Sequence, residues 1–122
     1  MTPSPITTWF EIPSVDFDRA IRFYENILKL ELKRETMESI NMAVFPHQEK
    51  QTAGAVVHSD DYQPSPHGIC LYLYSNDFDA ALERIEQHGG KVLMPKKSIG
   101  PNGFIALFMD SEGNRVGLHT DA

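Results

Sequence analysis

Two segments of the chain have apolar residues at the spacing of a helix. After Asp16, apolar side chains recur every three or four residues as far as Leu28 and form one stripe that can lie on a sheet. The same spacing predicts a second helix from about Asp77 to His88, which Gly89 and the following glycine end. Asp16 and Asp18 suit the positive N-terminal end of the first helix.

Eight shorter segments are rich in strand-forming residues and predict strands. They cover residues 6–12, 31–37, 40–45 and 53–58 around the first helix, and residues 68–75, 91–94, 104–109 and 115–119 around the second. Between the two groups, residues 59–68 carry two prolines, a glycine and two acids with no periodicity, which is typical of a connection. The predicted order is strand, helix and three strands, twice.

The two halves also share a motif at a fixed offset. The sequence Asp-Phe-Asp occurs at residues 16–18 and again at residues 77–79, 61 positions later, and His58 coincides with His119 at the same offset. Such colinear matches indicate an internal duplication. We therefore expect one domain over residues 1–122, with a first module of about residues 1–60 and a second of about residues 66–122.

Composition and charge exclude several classes of protein. The net charge is −6, from 17 acidic and 11 basic side chains, so nucleic-acid binding is not expected. A single cysteine, Cys70, excludes an intrachain disulfide and fits a reducing cytoplasm. The N-terminus lacks the basic and apolar regions of a signal peptide, and no segment is long enough to span a bilayer. We expect a cytoplasmic protein without nucleic-acid or membrane partners.

Three features together resemble the vicinal oxygen chelate superfamily, which includes glyoxalase I, bleomycin-resistance proteins, fosfomycin-resistance enzymes and extradiol dioxygenases. They are the paired βαβββ order, the signature Asp16…Phe23-Tyr24…Leu28, and the ending Asp110-Ser-Glu-Gly-Asn-Arg-Val-Gly-Leu118. The resemblance covers essentially the whole chain. It implies an α+β fold of two tandem βαβββ modules whose sheets curl around a central cavity, often completed by a second subunit, so a homodimer is expected. It says less about chemistry, because one fold hosts many functions.

The resemblance also implies where a metal would bind. It places the ligands on the first and last strands of each module, at Trp9, Val56, Cys70 and Gly117. Glyoxalase I uses His and Glu there, because a divalent ion of this kind prefers imidazole and carboxylate donors. None of the four is a His or a carboxylate, and one thiol does not make a site. We therefore expect no metal cofactor at these positions and no glyoxalase I activity by the familiar metal mechanism.

Side-chain alternation in strands predicts what lines the cavity instead. The residues on that face are Trp9, Glu11, His58, Cys70, Tyr72, Tyr74, Arg115 and His119. An aromatic pocket with a few polar groups is typical of small-molecule sites. The leading interpretation is a protein that binds a small aromatic or partly apolar molecule without the usual metal, as the resemblance to the bleomycin-resistance branch implies.

Glu11 is the most informative of these residues, and its role has alternatives. It is either a general base or an acceptor that orients the substrate, or else it forms an ion pair with Arg115 or a solvated position at the rim. A second hypothesis is a divergent lyase, isomerase or dioxygenase whose divalent metal is held by Glu11, His58 and His119. Both histidines end predicted strands, where exposed histidines are common. A third is a structural or interaction protein with a vestigial cavity.

Overall fold

The structure is a computed structural model that describes residues 5–122. The start of the N-terminus, for which no signal peptide is predicted, lies outside the described residues. The first module contains β1 (Trp9–Pro13), α1 (Phe17–Leu28), β2 (Lys33–Met37), β3 (Ile40–Val44) and β4 (Ala53–His58). The second contains β5 (Tyr72–Tyr74), α2 (Phe78–Gln87), β6 (Lys91–Ser98), β7 (Phe104–Met109) and β8 (Arg115–Thr120). The α+β class and the two tandem βαβββ modules are confirmed.

Each module forms one four-stranded sheet with the same strand order. The orders are β1-β4-β3-β2 and β5-β8-β7-β6. The first strand of each module runs parallel to the last, and the other neighbours are antiparallel. This equivalence agrees with the internal duplication that the sequence predicts.

Two strands, β5 and β6, differ most in length from their predictions. β5 is limited to Tyr72–Tyr74, whereas β6 continues through Pro95 to Ser98. β6 tolerates a proline because it lies at the edge of its sheet, where one row of N–H groups has no partner strand. Its pairing with β7 is irregular on both sides of Met94, so β6 contains more residues than the strand it pairs with.

The two helices share one hydrophobic core with both sheets. Phe23, Tyr24 and Ile27 of α1 are buried beside Ile85 of α2 and Phe108 of β7. The guanidinium of Arg84 on α2 also donates hydrogen bonds to the Ile27 carbonyl oxygen at 3.1 and 2.9 Å. The two modules of one chain therefore pack against each other through their helices. Neither helix within residues 5–122 is long and apolar enough to cross a membrane.

The turn between β7 and β8, residues 110–114, docks on the N-terminus of α1, and we call it the docking turn. The Glu112 side chain is fully buried, and its carboxylate accepts hydrogen bonds from the backbone N–H groups of Val15 and Asp16 at 2.8 and 2.6 Å. Arg19 Nε donates to the same carboxylate at 2.7 Å. A carboxylate is stabilised here because the N-terminus of a helix carries unpaired N–H groups and a partial positive charge.

Two further residues of the docking turn bind the first module. Tyr24 donates its hydroxyl hydrogen to Asp110 Oδ2 at 2.6 Å. Burial, followed by the charge of Asp110, raises the pKa of Tyr24 well above its ordinary value. Asn114 Nδ2 donates to the Pro13 carbonyl oxygen at 2.8 Å and to Asp110 Oδ2 at 3.0 Å. The turn therefore contacts both α1 and the end of β1.

The charge of Glu112 makes stability depend on pH. Burial raises the pKa of Glu112, but hydrogen bonds from Arg19, the Asp16 N–H, Ser111 and the Val15 N–H together hold it below its ordinary value of 4.5. A carboxyl whose pKa is lower in the folded state than in the unfolded state contributes stability above the unfolded pKa. That contribution is lost as the pH falls through the folded pKa.

Glu112→Gln is expected to lower the free energy of unfolding at neutral pH by about 1.5–3 kcal/mol, the range for hydrogen bonds to charged groups. Urea denaturation measures this change. The matched control is Asp18→Asn, because Asp18 pairs with Arg34 at 2.6 Å where both side chains are more than half exposed. The control is expected to lose less than about 1 kcal/mol. Equal losses in the two variants would contradict the special role of Glu112.

The same variant tests the pH dependence. As the pH falls below the ordinary value of 4.5, the wild-type protein is expected to lose the stability that Glu112 contributes, and the difference from Glu112→Gln should shrink. Urea denaturation of both proteins between about pH 6 and about pH 3 checks this. A stability difference that stays constant over this window would show that Glu112 is not the titrating group.

Candidate functional site

The face of the first sheet that points away from the helices carries its own apolar cluster, and we call it the outer face. Met42, Val44, Ala55 and Val57 are buried there, separately from the main core. Strand pairing places Glu11 beside Ala55, and Ala55 beside Val44. Glu11 therefore lies at the edge of an apolar floor.

A pocket of about 340 Å³ lies on this outer face. Its lining residues are Trp9, Glu11, Glu35, Met37, Met42, Val44 and His47. Trp9 is 40% exposed, and its indole Nε1 donates to Glu11 Oε2 at 3.1 Å. The pocket thus joins an accessible indole, an apolar floor and two carboxylates. This arrangement suits a partly apolar molecule that carries hydrogen-bond donors.

A second pocket, which we call the junction pocket, lies where the two modules meet and has a volume of about 250 Å³. It is lined by Glu11, Ile12 and Pro13 of β1, by Gln63, Ser65, Gly68, Ile69 and Leu71 of the connection, and by Asn114, Arg115 and Val116. The Ser65 N–H donates to Asn114 Oδ1 at 3.1 Å, so the connection is bound to the docking turn. The sequence does not mark these connection residues as part of a site, because they have no periodicity and resemble any polar loop.

Arg115 and Glu11 both line the junction pocket, but they are not an ion pair. Among residues 5–122, neither side chain takes part in any of the four ion pairs. Arg115 Nη2 donates to the Gly68 carbonyl oxygen at 3.2 Å, whereas its Nε is buried with no acceptor in the described part of the chain. A buried donor without an acceptor costs about 1–3 kcal/mol. Of the alternative roles for Glu11, the ion pair with Arg115 is not formed. The Glu11 side chain is exposed and lies at the rim of the junction pocket.

The predicted site residues Tyr72, Tyr74 and His119 lie on one face of the second sheet. Tyr72 and Tyr74 are 45% and 55% exposed. Tyr74 donates to Asp121 at 2.7 Å, and this hydrogen bond is the main cause that raises the pKa of Tyr74. His119 Nε2 lies 2.8 Å from the Asn102 carbonyl oxygen, and its ring packs edge-on against Tyr74. Neither Tyr74 nor His119 lines the two pockets described above.

Cys70 lies beside Tyr72 in the same module. The thiol is half-buried. Partial burial and then the neighbouring Cys70 raise the pKa of Tyr72, while the charge of Arg115 acts in the opposite direction. Of Cys70, Tyr72 and Arg115, only Arg115 lines the junction pocket.

Equivalent hydrogen bonds in the two modules correct the alignment of β4 with β8. The Ser14 N–H donates to the Val57 carbonyl oxygen, and the Ser75 N–H donates to that of His119, each at 2.9 Å. The two serines are 61 positions apart, but Val57 and His119 are 62 apart. The second module therefore contains one more residue before its last strand. His119 is equivalent to Val57 and not to His58.

This shift moves His58 away from the predicted site. His58 Nδ1 lies 3.0 Å from the Ser14 carbonyl oxygen, and its ring lies 6.4 Å from that of Phe17 on α1. It is therefore on the helix side of the first sheet, and the prediction that it shares a face with Glu11 is wrong. The structure does not bring Glu11, His58 and His119 together. Within residues 5–122, no group of three His, Cys, Asp or Glu side chains is placed to hold a metal ion.

The same correction applies to the metal positions that the resemblance implies. Val56 is buried in the main core, and Ala55, which pairs with Glu11 on the outer face, takes its place. At Gly117, an added Cβ would lie 2.3 Å from Tyr72 Cδ2, so the Tyr72 ring covers the position. Trp9, Ala55, Cys70 and Gly117 together offer one thiol as donor. This set does not fit a divalent metal of the kind that glyoxalase I binds.

Gly117→Ala is expected to destabilise the protein by about 1–3 kcal/mol, because the new methyl group must displace the Tyr72 ring. Tyr72→Ala removes the obstacle, so the double variant should recover most of the loss. Urea denaturation of the two single variants and the double variant measures this coupling. Additive losses would show that Tyr72 does not occupy the space above Gly117.

Comparison with known proteins identifies the family. The model of the Glyoxalase/Bleomycin resistance protein/Dioxygenase superfamily matches residues 7–118. A "Glyoxylase-like domain-containing protein" from Didymella fabae is 29% identical over 116 residues, which are 90% of this chain and 89% of that protein. The sequence similarity thus covers both modules.

Solved structures show the same fold. A glyoxalase/bleomycin resistance protein from Albidiferax ferrireducens T118 is 13% identical with a TM-score of 0.73, over 97% of this chain and 100% of that one. A glyoxylase/bleomycin resistance protein/dioxygenase domain from Frankia sp. EAN1pec is 19% identical with a TM-score of 0.72, over 99% of this chain and 100% of that one. A glyoxalase I variant from Zea mays is 21% identical with a TM-score of 0.67, and this chain covers only 45% of it. From its sequence match and its fold, the chain belongs to the Glyoxalase/Bleomycin resistance protein/Dioxygenase superfamily.

Proposed function

We propose that this protein binds a small aromatic or partly apolar molecule on the outer face of the first sheet. The observation that carries the proposal is the hydrogen bond between Trp9 and Glu11, at the edge of the apolar floor of Met42 and Val44. An exposed indole stacks on flat apolar groups, and the neighbouring carboxylate accepts a hydrogen bond from the ligand. Glu11 is thus an orienting acceptor, and a basic group on the ligand strengthens the contact.

We propose that binding does not use a metal ion. The support is the chemistry of the four positions: Trp9, Ala55 and Gly117 have no side-chain atom that can bind a metal ion, and Tyr72 covers Gly117. The alternative of a metal-dependent lyase, isomerase or dioxygenase with ligands Glu11, His58 and His119 has less support. It requires His58 to leave its contact with Ser14 on the helix side of the sheet.

The proposal extends to a cytoplasmic homodimer. Large apolar side chains are exposed on both modules, including Trp9 and Met37 on the first and Tyr72, Tyr74 and Leu93 on the second. A second copy of the chain that covers these residues would remove apolar surface from water. In such a dimer, the predicted ligand contacts of Tyr72, Tyr74 and His119 come from the partner's copy of the second sheet. The cytoplasmic location rests on the single cysteine, Cys70.

Trp9 fluorescence tests the proposed binding, because Trp9 is the only tryptophan. An aromatic amine such as 2-phenylethylamine is expected to change the emission in a saturable way and to raise the melting temperature. Glu11→Gln should weaken binding by about tenfold, since it removes a charged acceptor. The matched control is Glu49→Gln, an exposed residue outside both pockets, which should bind as the wild type does.

Two results would contradict the proposal. One is the absence of any saturable change across a set of aromatic amines and uncharged aromatic compounds, which favours a vestigial pocket. The other is equal affinity of the wild-type protein and Glu11→Gln, which means that the ligand binds elsewhere.

A further inference from the structure

We infer that the junction pocket is a second binding site, for a small zwitterion whose carboxylate binds Arg115 and whose ammonium group binds Glu11. This site lies beyond the proposed function, which concerns the outer face of the first sheet. The two sites share only Glu11, at the rim between them.

Arg115 has N–H donors without hydrogen-bond partners among the described residues, so its guanidinium can bind an anion. Its guanidinium carries five N–H donors and, within the described residues, makes one hydrogen bond, to the Gly68 carbonyl oxygen. Its Nε has no acceptor, and no carboxylate of residues 5–122 pairs with it. A guanidinium binds a carboxylate through two parallel hydrogen bonds. A ligand carboxylate is therefore the partner that this side chain lacks.

Glu11 supplies the opposite charge at the same pocket. In the described part of the chain its one hydrogen bond comes from Trp9 and reaches Oε2, which leaves Oε1 free. A ligand with a carboxylate alone would be attracted by Arg115 and repelled by Glu11. A ligand with an ammonium group alone would meet the reverse. A zwitterion satisfies both side chains, which is why we infer this class.

The other walls set the size and polarity of the ligand. Ile12, Leu71 and Val116 make part of the lining apolar, and the volume is about 250 Å³. This is below the roughly 300–1,000 Å³ of pockets for drug-sized ligands. Asn114 and Ser65 hold the walls together through their hydrogen bond, so the pocket is formed before a ligand binds. The combination fits an amino acid with a short apolar side chain.

Three probes with the same branched side chain separate the contributions of the two charges. Leucine carries both charges, 4-methylpentanoate lacks the amino group, and 3-methylbutylamine lacks the carboxylate. We expect leucine to shift the NMR signals of the Arg115 side-chain N–H and the Gly68 and Ile69 amides. Its affinity should exceed that of each single-charge analogue by about tenfold or more, as expected for a charged hydrogen bond.

Variants of the two charged residues assign the contacts. Arg115→Gln should weaken leucine binding by about tenfold or more, and Arg115→Lys should have intermediate affinity, since it keeps the charge without the bidentate geometry. Glu11→Gln should abolish the preference for leucine over 4-methylpentanoate. The control is Arg22→Gln, at an exposed position of α1 outside the pocket, which should leave all three affinities unchanged.

Any of three results would overturn the inference. They are no shift of the Arg115 signals by leucine, equal affinity for the three probes, and unchanged leucine binding in a folded Arg115→Gln or Arg115→Lys variant. Failure of the proposed function is distinguishable, because that site is read by Trp9 fluorescence with aromatic amines and does not involve Arg115. If the amines do not bind but leucine binding still requires Arg115, only the proposed function fails.

Discussion

The buried carboxylate of Glu112 at the N-terminus of α1 is the contact on which the arrangement of the two modules depends. It belongs to the second module and binds two backbone N–H groups and Arg19 of the first. Asp110 and Asn114 of the same turn add contacts to Tyr24 and Pro13. Because Asn114 also binds Ser65, the docking turn positions β1, the connection and the start of β8 together. The contacts that hold the modules together therefore also form the walls of the junction pocket.

Local patterns in the sequence were sufficient for the order of elements. The apolar stripes after Asp16 and Asp77 gave both helices, and β4 and β7 have the predicted bounds. The reason is that helical and strand periodicity depends on a few consecutive residues. The Asp-Phe-Asp repeat also located the equivalent residues of β1 and β5 correctly, because the offset of 61 holds up to Ser75.

The offset of 61 could not predict on which face of the sheet each residue of β4 lies. One additional residue before β8 changes the offset to 62, and a shift of one residue reverses the face on which a strand residue lies. The offset of 61 therefore assigns His58 and Val56 to the wrong face of the sheet. It does not identify Ala55 as a residue of the outer face. No local pattern marks this change of offset, because it is the net result of differences in the irregular β6 and in the loops on either side of β7. The absence of a suitable set of metal ligands is unchanged by this correction, because Ala55, like Val56, has no side-chain atom that can bind a metal ion.

The site was predicted as a set of residue types, and its geometry was not. Glu11 and Arg115 were both identified, but the ion pair that was one alternative for Glu11 is absent among the described residues, and Glu11 lies between two pockets. The junction pocket depends on the docking of residues that are about 50 positions apart, such as Ser65 and Asn114. Contacts of this kind come from tertiary packing and leave no periodic signal. The central cavity between two curled sheets stays a prediction.

We propose that this member of the superfamily binds its ligand without a metal, because the side chains of Trp9, Ala55, Cys70 and Gly117 do not form a set of metal ligands. Metal analysis tests it most directly, on protein stripped with a chelator, incubated with Zn²⁺, Ni²⁺, Co²⁺ or Mn²⁺ and then desalted. We expect a metal content far below stoichiometric for each ion. A stoichiometric content that is lost in Glu11→Ala would contradict it and would restore the metal-dependent alternative.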